Sequence, residues 1–136
     1  MALIALKTAD RVEVIQSHCQ LTLVAAEAIT AGACVRIDTD GKFTNGNGTS
    51  TTENNIFGIA TRTVAAGEPV TAIRRGLMDG FTFSQAYAAP IYASDTDGRL
   101  GDAAGTASKL IGMVVAGTSN LIGTSPDKIL LVDINL

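Results

Sequence analysis

Charge is scarce in this chain of 136 residues: Asp, Glu, Lys and Arg together make up 17%, against roughly 25% in an ordinary soluble domain. A surface so poor in charge either stays wet through Thr, Ser, Asn and Gly or is covered by another molecule, and the second option points to an assembly. The net charge is −3 and no run of cations exceeds the pair Arg74-Arg75. Neutralising phosphates takes several cations on one face, so nucleic acid is not an expected partner. Trp is absent, and four Phe and two Tyr are too few to suggest base stacking. No apolar run approaches the roughly 18 to 20 residues of a membrane-spanning helix. The start, Met1 to Lys7, has neither a basic leader region nor a long enough apolar stretch for a secretory signal. Synthesis in a cytoplasm, with no membrane partner, is therefore expected.

Reactive side chains are equally few. Cys19 and Cys34 are the only cysteines and His18 the only histidine. Two isolated cysteines in a reducing compartment read as free thiols, and with one histidine they fall short of a metal site. A nucleophile-base pair would have to use His18, yet Ser17 and Cys19 beside it point to the side of an extended segment opposite His18, which leaves only Glu13 or Asp10 as a conceivable partner. The expectation is no catalytic residue, no metal, no cofactor and no enzyme activity.

What the sequence does contain is a turn used twice. Asp38-Thr39-Asp40-Gly41-Lys42-Phe43 returns 57 positions later as Asp95-Thr96-Asp97-Gly98-Arg99-Leu100. Asp-Gly between extended stretches predicts tight primed hairpin turns at Asp40, Gly41, Asp97 and Gly98, because Gly accepts positive φ and Asp tolerates it. Each copy resumes with an apolar strand centred on glycine, Ile56 to Ala60 and Leu110 to Val114, and ends on a closing strand, Val70 to Ile73 and Ile129 to Val132. These recur in the same order at offsets of 54 and 59. Such self-similarity predicts one supersecondary unit used twice, about residues 28–80 and 86–136. Residues 1–26 then form an N-terminal arm and first strands, and residues 27–136 a β-rich domain. An apolar fraction of 46% is enough for one core.

The remaining segments fit an all-β chain. Ala2 to Leu6 is apolar on both faces, and is either a strand of its own sheet or one lent to another chain. Arg11 to Gln16 and Gln20 to Val24 alternate with period two. Gly32 marks a bend. Asn45 to Asn55 is a long polar surface loop, which favours a role or mobility. Its Gly46-Asn47-Gly48 lacks the lysine and context of a phosphate loop, and Asn47-Gly48-Thr49 only formally matches a glycosylation acceptor. Arg74 and Arg75 must point to opposite faces of one strand. Thr82 to Tyr87 is the one modest helix candidate. The two Asp-x-Asp-Gly turns do not match a calcium loop, since the alignment places Arg36 at the first ligand position. A turn over Thr118 to Lys128 precedes a buried closing strand.

The succession Ala31-x-Ala33-Cys34-Val35, Asp38 to Phe43, Ile56 to Ala60, Ala65 to Val70 and Ile73 to Gly76 resembles the small capsid decoration, or cement, proteins of tailed bacteriophages. It is similar to the lambda-type head decoration protein and to the broader capsid-cement group over about residues 29–81, with a weaker echo in 88–134. The resemblance implies a compact β-tulip, a small β-barrel-like domain that forms a homotrimer on the outer capsid surface and stabilises the lattice of major capsid proteins. It implies a place on the virion, and capsid contacts through the arm residues Ala2, Leu3, Ile4, Ala5 and Leu6. This arm is strand-like where the lambda type has a longer polar one. Arg74 and Arg75 become expected trimer or capsid contacts. The alternative is a head-fibre base or virion adhesion module that binds host glycans through Asn45 to Asn55 and the loop around Gly101.

Overall fold

The computed structural model describes residues 2–117 and 127–135, and no helix occurs among them. The connection expected before the closing strand lies almost wholly outside the described residues. The described residues form eleven strands: β1 (Ala5–Leu6), β2 (Glu13–Val24), β3 (Cys34–Ile37), β4 (Phe43–Asn45), β5 (Ile56–Ala60), β6 (Pro69–Asp79), β7 (Phe81–Thr82), β8 (Pro90–Ala93), β9 (Leu100–Gly101), β10 (Leu110–Ala116) and β11 (Lys128–Asp133). Nine of them form one antiparallel sheet in the order β4-β3-β5-β6-β11-β10-β8-β9, with β2 on the far side of β6.

The order reads alike from either end. β3 lies between β4 and β5, and β5 leads to β6. β8 likewise lies between β9 and β10, and β10 leads to β11. The two closing strands then pair with each other, Met78 opposite Leu130 and Arg75 opposite Asp133. β6 is the spine: β2 follows its full length on one side, while β5 and β11 share the other.

Glycine sits at equivalent places in the two quartets for the same reason. A Cβ on Gly58 of β5 would come within 2.7 Å of the Ile73 carbonyl oxygen on β6, and one on Gly112 of β10 within 1.7 Å of the Leu131 oxygen on β11. Only a residue without a side chain lets the strands approach so closely.

The sheet curls until its ends meet. Gly98 N–H donates to Gly46 O at 2.8 Å, Gly48 N–H to Ser94 O at 2.7 Å, and Ala107 N–H to Gly48 O. The Asn54 amide adds bonds to Ala107 O and Ser108 O. Asn45 to Asn55 is thus tied down along one side, and Gly46 and Gly48 are buried. The main core fills the curl with Ile4, Cys34, Ile56, Ile59, Ile73, Met78, Phe81, Ile91, Ile111, Val114, Leu130 and Val132. A second cluster, including Ile29, Val35, Phe43, Phe57, Val64 and Val70, covers the other face of β3 and β5. β5 is therefore buried at every residue, as its continuous apolar run requires.

Two expectations fail here. The hairpin turns are wider than two residues: the first closes with Asp38 N–H on Lys42 O, the second with Ser94 N–H on Arg99 O. Asp38 causes the first widening, because its carboxylate takes the amides of Asp40 and Lys42. Gly41 and Gly98 do adopt positive φ, 79° and 70°. The helix expected over Thr82 to Tyr87 is absent. Phe81 and Phe83 stack with centroids 5.8 Å apart, a two-residue spacing that extended chain supplies and a helix does not.

Cys34 is fully buried and its Sγ donates to Gly46 O at 3.3 Å. Burial pushes its thiol up to about 12. An unfolded thiol ionises near 9.0, so this contribution is whole below that pH and fades as pH rises toward about 12. Between those values the wild type should lose stability more steeply than Cys34→Ala, the difference approaching about 1.4 kcal/mol per pH unit. Urea unfolding of both proteins across that range measures it, and identical slopes would refute it.

Candidate functional site

β2 is the outstanding surface feature. Of its 12 residues only Cys19 and Leu23 are half-buried; the others are exposed. It pairs with β6 alone, so its second edge is open among the described residues. Val14, Ile15, Leu21 and Val24 are each 37–44% exposed along it. The sequence suggested two strands here, and the structure joins them through Ser17, His18 and Cys19. Ile15 and His18 fall where the register against β6 shifts, and Arg74 is skipped on β6. These bulges absorb the irregular polar stretch without ending the strand.

A second apolar row crosses the outer face. Met113 lies opposite Leu131, and Leu131 opposite Leu77. Directly paired residues share a face. All three are partly or substantially exposed, on the side away from Val114, Leu130 and Met78 in the core. Arg75 lies at its border, paired with Asp133 at 3.2 Å where both side chains are more than half exposed. Such a pair contributes little to stability. Arg74 is half-buried and donates from Nε to Ile134 O at 3.1 Å. The two arginines therefore have different environments, each with a partner in its own chain.

The arm lies within the fold. Ala5 and Leu6 pair with Thr82 and Phe81 of β7. On the other side Leu3 bridges Gly101, and Ile4 N–H donates to Leu100 O at 3.0 Å. Arg99 donates to Ile4 O at 3.2 Å. At the tip, Ala2 N–H donates to Asp102 Oδ1 at 2.8 Å, and that hydrogen bond lowers the Asp102 pKa. Ile4 is 5% exposed and belongs to the main core, while Leu3 remains 40% exposed. Of the two readings of Ala2 to Leu6, the structure displays the strand in its own sheet.

The Asp-Gly turns differ in setting. Gly41 has open space around it, whereas Gly98 packs against Asn45, and Asp97 accepts from the Asn47 amide at 3.1 Å. A cleft of about 390 Å³ lies under the arm between Leu6, Gly32, Phe81, Arg99 and Leu100. A second, of about 500 Å³, is bordered by Lys7, Phe83, Tyr87, Asp127 and Lys128. Neither brings a nucleophile to a base. His18 is exposed on β2, and no group of three or more His, Cys, Asp or Glu among the described residues is placed to hold a metal. The arrangement offers edges and apolar surface for binding. The signal missed in the sequence was the continuity of β2, which its interrupted alternation hid.

A family model described as phage cement protein matches residues 15–121. The chain belongs to the phage cement protein family. The match starts within β2 and takes in all of β3 to β10, most of the curled sheet; the arm and β11 lie outside it. No curated protein and no solved structure matches the chain. Membership supports a virion capsid location and a structural role for this cement-family chain.

Proposed function

We propose that this chain decorates the outside of a phage head as a homotrimer and stabilises the lattice of major capsid proteins beneath it. The family match over residues 15–121 carries the reading. The surface agrees with it: a charge content of 17% leaves the outer row of Met113, Leu131 and Leu77, and the edge of β2, as apolar area that assembly would dry. Repetition over a shell multiplies weak contacts through avidity, so no single strong site is needed. Arg75 borders the outer row, and Arg74 and Arg75 remain proposed trimer or capsid contacts. The arm remains a proposed capsid contact through its exposed Leu3.

Two measurements test the proposal. Analytical ultracentrifugation of the purified protein should give three times the chain mass, and the protein should co-sediment with expanded capsid shells and raise their melting temperature. A monomer that leaves shells unchanged would refute it. One observation favours a second reading, adhesion to host glycans: the loop after β4 and the loop after β9 are joined through Gly48, Asn54 and Ala107. In that reading a glycan array shows binding that disappears on shortening these loops, with shell association intact.

A further inference from the structure

The open edge of β2 is long, apolar and unguarded. Proteins usually blunt such an edge with lysine, proline, shortness or a covering segment. Glu13–Val24 contains no Lys, Arg or Pro, and its one formal charge, Glu13, stands at the end. The bulges at Ile15 and His18 bend the first part of the edge and disfavour regular pairing there. From Gln20 to Val24 the strand pairs without interruption, residue by residue, with Ile73 to Pro69. Its outward side is a straight ladder of free main-chain groups flanked by exposed Leu21 and Val24.

We infer that the open side of Gln20 to Val24 takes an extended segment of the major capsid protein as an added strand. The inference rests on the cement reading above and adds to it the surface and the mode of attachment. Strand addition draws affinity from main-chain hydrogen bonds and specificity from alternate side chains, which suits an edge without charge. A second copy fits less well. A strand of 12 residues is about 40 Å long and, at roughly 10 Å depth, would bury on the order of 400 Å² per partner. A stable free-standing interface needs about 800 Å² per partner. Two free subunits joined only here would separate, whereas the same edge repeated over a shell is retained by avidity. A self-paired edge would also have to accommodate the bulges of both strands.

Hydrogen–deuterium exchange of the protein, free and bound to expanded shells of its own phage that lack it, tests this. The amides of Gln20 to Val24 that do not bond to β6 should exchange at least tenfold more slowly when bound. Leu21→Lys with Val24→Lys, checked for folding by its melting temperature, should weaken shell binding at least tenfold. Binding with unchanged exchange in β2 overturns the inference and leaves the cement reading standing. Slow exchange of these amides already present in the free protein, whether dimer or trimer, assigns the edge to another copy of the chain and also overturns it. Failure to bind shells removes the cement reading and this inference together.

Discussion

Gly112→Val melts about 10 °C or more below the wild type. The first Cβ at this position would lie 1.7 Å from the Leu131 carbonyl oxygen, and a backbone atom in the middle of a paired strand cannot step aside. Either β10 separates from β11 or the seam between β11 and β6 shifts, and both routes open the main core. Overpacking a core costs about 1–3 kcal/mol and occasionally more. With backbone as the obstacle we expect about 3 kcal/mol, which for a chain of this size is roughly 10 °C. Gly58→Val should behave similarly, with 2.7 Å to the Ile73 oxygen. Gly41→Ala is the control: nothing lies within 4 Å of its Cβ, and only a φ of 79° opposes it, a strain of about 1–2 kcal/mol. Thermal melts followed by circular dichroism decide it, and a Gly112→Val protein that melts with the wild type would refute the close-approach account.

Ile4→Asp detaches the arm. The side chain is 5% exposed within the main core, and an unpaired carboxylate cannot remain there without a large desolvation penalty. The arm has an escape that the central strands lack, because it sits at the rim, held by Ala5 and Leu6 on β7, by Leu3, Ile4 and Ala2 beside β9, by Arg99 on Ile4 O, by Lys7 N–H on Gly80 O, and by a Lys7–Asp79 ion pair at 3.2 Å. The loss is therefore limited to the free energy of docking residues 2–7, about 2–4 kcal/mol by analogy with large-to-small core changes. Fast exchange should appear at residues 2–7 and in β7, and β3 to β6 should stay protected. Global unfolding would show that the arm is integral to the core. Unchanged exchange would show that it is not docked as described. Comparing shell binding of this variant with the wild type then separates a structural arm from a capsid-binding one.

The glycine bends and the buried run of β5 were legible in the sequence because local chemistry fixes them. Gly41 and Gly98 have the left-handed backbone expected of them, Gly32 bends the chain at φ 84°, and the run Ile56 to Ala60 is buried throughout. The phage cement resemblance was legible too, from short Gly- and Ala-rich motifs at the right succession. Turn width was not, because Asp38 binds two amides across its own turn, a choice that the six-residue pattern shares with narrower alternatives. The helix expected at Thr82 to Tyr87 failed because Phe81 and Phe83 are drawn to one side by the core. β2 was hidden for another reason. Its bulges interrupt the period-two pattern, and only the partner strand β6 reveals that the segments on either side of His18 form one strand. The open edge is a property of what does not pair with it, which single-residue patterns do not encode.

The position of β6 bears on how the molecule carries load. β2 runs antiparallel beside it from Glu13 to Val24, and β6 in turn grips β5 near one end and β11 near the other. A pull applied lengthwise to β2 meets its bridges to β6 side by side, as shear, so they must yield together; they cannot be peeled open one after another. The force then divides between the two quartets, and neither hairpin turn lies in its path.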